Sequence, residues 1–435
     1  MMASPGSSKM SRWALDVSPL RENRSFRLLF VGRLVSLAGL GMLAVVFSWQ
    51  IYQLTDSSVH VALVLTTLGI ASFVGSLCGG VLADRGDRRR LIVLSRSAAV
   101  LGFVVLAVNA SAPEPSLTVL YVVAAWDGLA GGFSATALAA AVPSVVATKD
   151  LPAVGTLMAI SLDVGAVISP LVAGVLIGWG GFPLTYWVIV GVSALSLVFL
   201  FQLPPIIAQR DTHSNERHAV HGFIQDLREG FSFATRDKIV GGVLLLGFIQ
   251  IVCASPYVLI PEFVSRDLGG SAFALSCVYA APAAGALIAT ACSGWLGRVQ
   301  RIGRLQFIVF TIACLCVAAF GLAPTVAFAV VAMALVGAMD VLAEVARFTV
   351  LSERTPDHLR GRVASMWTAQ GTIGESLGGP ALSLLAKPLG AAGAIVAGGV
   401  LGAILTLVVC FTHAPLRTLT RNVESDVHEE KVEAL

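Results

Sequence analysis

Residues 80–90 read Gly80-Val81-Leu82-Ala83-Asp84-Arg85-Gly86-Asp87-Arg88-Arg89-Arg90. They close one apolar run, 61–83, and open the next, 91–110. Each run is close to the ~20 residues that a helix needs to cross ~30 Å of hydrocarbon. A short link between two such runs makes them neighbouring antiparallel spans. The charge on the link marks the side of the membrane it faces. The rest of the chain repeats this pattern in both directions.

Further apolar runs lie at 26–54, 117–141, 151–178, 184–203, 239–261, 271–297, 305–323, 325–349, 363–385 and 391–413. Of 435 residues, 56% are hydrophobic and only 13% charged, against ~25% charged in soluble domains. Mean hydropathy is +0.84. This composition excludes a soluble enzyme, a disordered chain and a secreted disulfide scaffold. A β-barrel fits poorly, because its strands alternate polar and apolar over ~10 residues. The expected fold is an all-α membrane protein with twelve transmembrane helices in two pseudo-symmetric six-helix bundles. The divisions are an N-tail (1–25), a first bundle (26–203), a central loop (204–238), a second bundle (239–413) and a C-tail (414–435). The first run is too long for a signal-peptide core, so no cleaved leader is expected. Seven cysteines are scattered through apolar runs and read as small apolar residues.

Lys and Arg collect in alternate gaps. With the N-terminus inside, the outer gaps hold only Arg266 and Lys387 of 29 basic residues. Both termini are therefore expected in the cytoplasm of a cell inner membrane. In the central loop Phe223, Ile224, Leu227 and Phe231 recur at helical spacing, which predicts an amphipathic helix over 222–233 on the membrane surface. His213, His218 and His221 precede it and read as a solvated linker rather than a metal site.

The halves repeat. Asp127-Gly-Leu-Ala with Pro143 matches Asp340-Val-Leu-Ala with Pro356, and Thr136 and Leu138 match Thr349 and Leu351, all at one offset. Pro170 and Pro380 stand at nearly the same offset. Parallel repeats of this kind bind substrate between the halves and expose it to each side by rocking.

The 80–90 link resembles the signature loop of the major facilitator superfamily, with Asp87 where that family has Gly. The resemblance implies a latch of Gly80, Asp84, Arg85 and Arg88. Gly80 would permit close helix approach, and Asp84 would pair with a neighbouring Arg. The matching second-half loop has Gly297 where the Asp would stand. Gly165-Ala-Val-Ile-Ser169-Pro170-Leu-Val-Ala173-Gly174 resembles the antiporter motif of that superfamily, with Ser169 and Ala173 in place of glycines. Phe26-Arg27, Phe30, Arg33, Pro113-Glu-Pro-Ser-Leu117, Trp126-Asp127-Gly128, Gly361-Arg362 and Trp367-Thr-Ala-Gln370 are similar to the enterobactin exporter family and its efflux relatives. That family exports catecholate siderophores on the proton gradient. The chain departs from it at Asp163, where the resembled family is basic, and in the extra charges of run 325–349.

Charges inside a bilayer are expensive and need a reason. Asp127, Asp163, Asp340, Glu344 and Glu375 are the candidates for proton coupling. A carboxyl withdrawn from water holds its proton to higher pH. Asp127 is the first choice, with Asp340 or Glu375 as the second site; the alternative is an acid that only stabilises helix packing. Asp340, Glu344 and Arg347 share one helical face, and Glu344 and Arg347 would either neutralise each other or serve the substrate. Arg33, like Arg347, could attract an anionic substrate, or it could snorkel to the surface.

The expected function is therefore secondary active export of a siderophore-like small molecule by proton antiport. A multidrug pump of the same fold is the alternative, and a non-transporting membrane sensor a remote one. No nucleophile–base set, metal spacing or phosphate-binding glycine loop is present, so no enzyme is expected. No cofactor is expected either; the proton gradient supplies the energy. Expected partners are the substrate, the lipid bilayer and an outer-membrane or periplasmic efflux partner, with no nucleic acid and a monomeric state.

Overall fold

The computed structural model describes residues 17–206, 229–356 and 359–420, and of Arg85 the backbone alone. His213, His218, His221, Phe223, Ile224 and Leu227 lie outside the described residues, as do the first sixteen and those from 421 onward.

Helix α1 (Arg24–Thr55) starts where the Asn23 side chain accepts the Phe26 N–H, satisfying one of the open amides of its first turn. Then come α2 (Ser58–Arg85), α3 (Arg88–Ser111) and α4 (Leu117–Val145). Asp87 caps α3 by accepting the Arg89 N–H, which explains an acid in an otherwise basic link. A helical stretch of 51 residues, Leu151–Phe201, follows. At 1.5 Å per residue it would run about 76 Å, over twice the hydrocarbon thickness. It is broken at Gly181, whose φ of 69° suits only glycine. The two pieces, α5 (151–180) and α6 (182–201), are separate spans.

In the second half, α7 (Lys238–Cys253) is capped by Asp237. The expected single run 239–261 is not one helix. Pro256 has no N–H to give and disfavours helical backbone before it, so the regular helix stops at Cys253. A 3-10 turn (Pro256–Val258), a short turn (Ile260–Glu262) and a wide turn (Phe263–Asp267) carry the chain on. Helices α8 (Ala272–Ala291), α9 (Ile302–Gly321) and α10 (Val326–Arg354) follow. The 53-residue stretch Arg360–Thr412 breaks at Gly390 (φ 72°) into α11 (360–389) and α12 (391–412). Ten long apolar stretches thus hold twelve spans among the described residues.

Both halves pack alike. In the first, α1 lies against α5 and α6, and α2 against α4; in the second, α7 lies against α11 and α12, and α8 against α10. The α2–α4 and α8–α10 contacts are backbone to backbone. A Cβ on Gly132 would collide with Ser72, and one on Gly337 with Pro282. Small residues allow this approach where lipid supplies no hydrophobic drive. The halves meet through α2 against α11 and α5 against α8. We call the end carrying the 86–87 link the basic end, and the other the opposite end.

Candidate functional site

In the first half, Asp127 sits on α4, only 7% exposed. Arg96 on α3 lies within electrostatic reach of Asp127 and of Arg33 on α1, with no ion pair formed between them among the described residues. Arg33 directs a guanidinium N–H at the Met158 sulfur of α5. Arg96 was missed by the sequence reading. Its signal was there to use: a single charge inside the run 91–110. Asp163 on α5 is half-buried and makes no ion pair among the described residues.

In the second half, Asp340 on α10 accepts a hydrogen bond from the Gln250 amide of α7. Glu344 is exposed. The expected neutralisation of Glu344 by Arg347 is not formed as a contact. Arg347 instead lays its guanidinium over the Trp367 ring, 4.6 Å from the centroid. It packs on Gly247, where an added Cβ would strike the guanidinium. Gln370 sits beside it and donates to the Leu244 carbonyl at 2.9 Å. The Arg347 Nε is buried with no acceptor among the described residues. A delocalised cation stacked on indole gains π attraction, which a charge pair along the same helix does not offer.

Glu375 on α11 is exposed and lines a cavity of about 300 Å³ between the halves. Tyr257, in the turn after α7, lies within electrostatic reach of both Asp340 and Glu375. The five membrane acids therefore do not form one cluster. Asp127 stands with Arg96; Asp340 and Glu375 each lie within electrostatic reach of Tyr257; Glu344 lies within reach of Asp340; and Asp163 stands apart.

The expected latch at the basic end is open in this conformation. Asp84 is exposed and makes no ion pair among the described residues. A Cβ built on Gly80 would meet nothing within 4 Å, so Gly80 is not at a close helix contact. The neighbouring Gly79 is, against Phe133 and Thr136 of α4. Arg88 is held within the first half, donating to the Ala83 and Ala140 carbonyls at 3.2 and 2.8 Å. The antiporter-like motif lies where helices press together. Ser169 faces Gly41 of α1, and Gly174 faces Ser276 of α8 across the halves; Gly165 makes only ordinary contact with Leu37. Pro170 is buried in α5. Among the described residues no group of three or more His, Cys, Asp or Glu is placed to hold a metal.

Residues 14–434 match the family model described as transmembrane secretion effector, a major facilitator family. The enterobactin exporter EntS of Escherichia coli O1:K1 / APEC is 33% identical over 401 residues, covering 91% of this chain and 94% of that protein. The chain belongs to the major facilitator superfamily, in its transmembrane secretion effector family. EntS of Shigella boydii serotype 18 (strain CDC 3083-94 / BS512) gives the same identity and coverage. Solved transporters share the fold. A POT family transporter in complex with 5-aminolevulinic acid superposes with TM-score 0.72 at 14% identity, over 91% of this chain and 97% of its own. The nucleoside transporter NupG does so with TM-score 0.68 at 13% identity, over 90% and 98%. The chain is thus a multi-span membrane transporter of small molecules and not an enzyme.

Proposed function

We propose that this transporter exports a siderophore-like organic anion from the cytoplasm in exchange for protons, by alternating access. The observation that carries the reading is the 33% identity to enterobactin exporters over nearly the whole of both chains. On this reading the basic end faces the cytoplasm of an inner membrane, as the distribution of Lys and Arg favours. Asp127 carries the coupling proton, with Asp340 as the second site. Each is the acid at the same place in its repeat, and each has a polar neighbour: Arg96 within electrostatic reach of Asp127, and Gln250 hydrogen-bonded to Asp340. Arg33 and Arg96 make the first half attractive to an anion. Nothing beyond the proton gradient is needed as cofactor. An efflux partner outside the membrane would complete the route.

The test is mass spectrometry of cell pellet and medium, with and without the gene, under iron limitation. A siderophore retained in the pellet and missing from the medium is the expected result of deletion. Unchanged siderophore in both fractions would replace this reading with export of drugs or antibiotics, measured by dye accumulation.

A further inference from the structure

Glu375 stands halfway along α11, about 22 Å from its basic end at 1.5 Å per residue. That depth is near the middle of a bilayer, where a lone carboxylate is costly. Among the described residues it has no ion pair. It does not look into lipid alone, because it lines the cavity of about 300 Å³ between the halves. Helix α2 contributes Thr66 and Gly69, the turn after α7 contributes Ser255 and Tyr257, and α11 contributes Ser376 beside Glu375.

The chemistry of this lining is one-sided. Among the described residues no Lys, Arg or His lines the cavity, so no positive charge there would hold an anion. Thr66 already donates its hydroxyl proton to the Ser376 carbonyl at 3.5 Å, and Ser376 donates its own to the Thr372 carbonyl at 2.7 Å. Their oxygens keep lone pairs and have no proton left to give. The cavity therefore presents one carboxyl, the Tyr257 ring and hydroxyls, of which those of Ser255 and Tyr257 can still donate; an ionised Glu375 has no counter-charge in this lining, and a cation would supply it. Asp340 is a second acid within electrostatic reach of Tyr257. The volume is about ten times what one water occupies in the liquid, ~30 Å³, so the space exceeds the needs of a proton carrier.

We propose that the cavity around Glu375 is a binding site for an organic ammonium, a compact primary amine with an apolar body, held between the two halves. The site is built from both halves, so its occupant bridges α2 and α11. The inference goes beyond the siderophore reading and does not rest on it.

The test uses the purified full chain in detergent, with thermal unfolding followed by tryptophan fluorescence. Three probes of one shape are compared near neutral pH: phenethylammonium, 2-phenylethanol and phenylacetate. A ligand that binds only the folded state raises the unfolding temperature in a saturable way. The expected result is a rise with phenethylammonium alone. Glu375→Gln should weaken its apparent affinity at least about tenfold, as loss of a charged hydrogen-bond acceptor does. Gly69→Leu keeps the carboxylate and fills the cavity, and should abolish the response. It also carries the test should Glu375→Gln fail to fold. Equal responses to phenethylammonium and 2-phenylethanol would overturn the proposal in favour of an apolar crevice. Undiminished affinity in Glu375→Gln would overturn it as well, and so would full displacement by potassium chloride at matched concentration. None of these outcomes bears on siderophore in the medium, so the two readings fail separately.

Discussion

The Arg266 guanidinium of the second half lies 2.6 Å from the Asp56 carboxylate of the first. Asp56 ends α1 in a left-handed conformation, with φ 48° and ψ 34°. Arg266 is braced from behind by the buried Glu262, at 3.4 Å. This contact joins the halves at the end opposite the basic loops. Near that end, Gly174 also meets Ser276. At the basic end Asp84 and Gly80 are open. The halves are therefore in contact at the opposite end, while the expected latch residues of the basic end are not engaged. Arg266 is also one of only two basic residues that the charge pattern leaves outside, and the ion pair gives it a reason to be there.

If this pair helps hold the opposite end shut, Arg266→Ala should shift the population toward a state open at that end. Spin labels at Ser57 and Asp267 would report a longer, broader distance distribution. The charge swap Asp56→Arg with Arg266→Asp should restore the wild-type distribution. The pair is exposed, and exposed pairs are individually weak, so a change in population is expected and not a loss of folding. Unchanged distances in Arg266→Ala would remove the pair from the closing of this end.

The pair also fixes a pH window. Arg266, and then a hydrogen bond from Tyr52, hold the Asp56 carboxyl below its ordinary value. A depressed acid contributes fully above the ordinary aspartate range, ~3.9, and its contribution is lost only as pH falls through the lowered value. The label distances in wild type should therefore stay constant from neutral pH down to about 5. They should lengthen only well below about 4. Lengthening already near neutrality would mean that a group other than Asp56 controls this end.

The two adjacent glycines at the end of α2 separate a packing role from a conformational one. A side chain at Gly79 must displace the α4 backbone at Phe133, 2.8 Å away, whereas one at Gly80 enters open space. Gly79→Leu should lower the unfolding temperature, at a cost of about 1–3 kcal/mol for overpacking. Gly80→Leu should unfold like wild type yet transport at least about tenfold more slowly, if the open space is where a helix arrives when the basic end closes. Normal transport by Gly80→Leu would show that no helix closes there.

Much of the architecture was legible because lipid imposes one simple rule: long apolar runs, with charge at alternate gaps. Even the breaks at Gly181 and Gly390 fall in gaps marked by composition. The end of α7 was not legible, because Ser255-Pro256 interrupts the helix without interrupting the apolar run. The candidate residues were legible one at a time, as charges where charge is expensive. Their company was not. Spacing along α10 suggested Glu344 for Arg347, but the partner it found, Trp367, comes from another helix. Arg96 became visible as the counter-charge of Asp127 only when α3 and α4 were placed side by side.

That pairing gives the last prediction. Asp127→Asn keeps the shape of the side chain and removes its charge, leaving Arg96 without its counter-charge. Stability should fall by about 1–3 kcal/mol, the cost of stranding a buried polar group. Arg96→Gln alone should do the same, and the double variant Asp127→Asn with Arg96→Gln should recover most of the loss, because neither charge is left unmatched. Transport separates coupling from packing. If Asp127 carries the coupling proton, the double variant should be folded and abundant, yet its uptake into inverted vesicles should no longer respond to an imposed proton gradient. A double variant that still accumulates substrate on the gradient would make Asp127 a packing residue and move the coupling to Asp340.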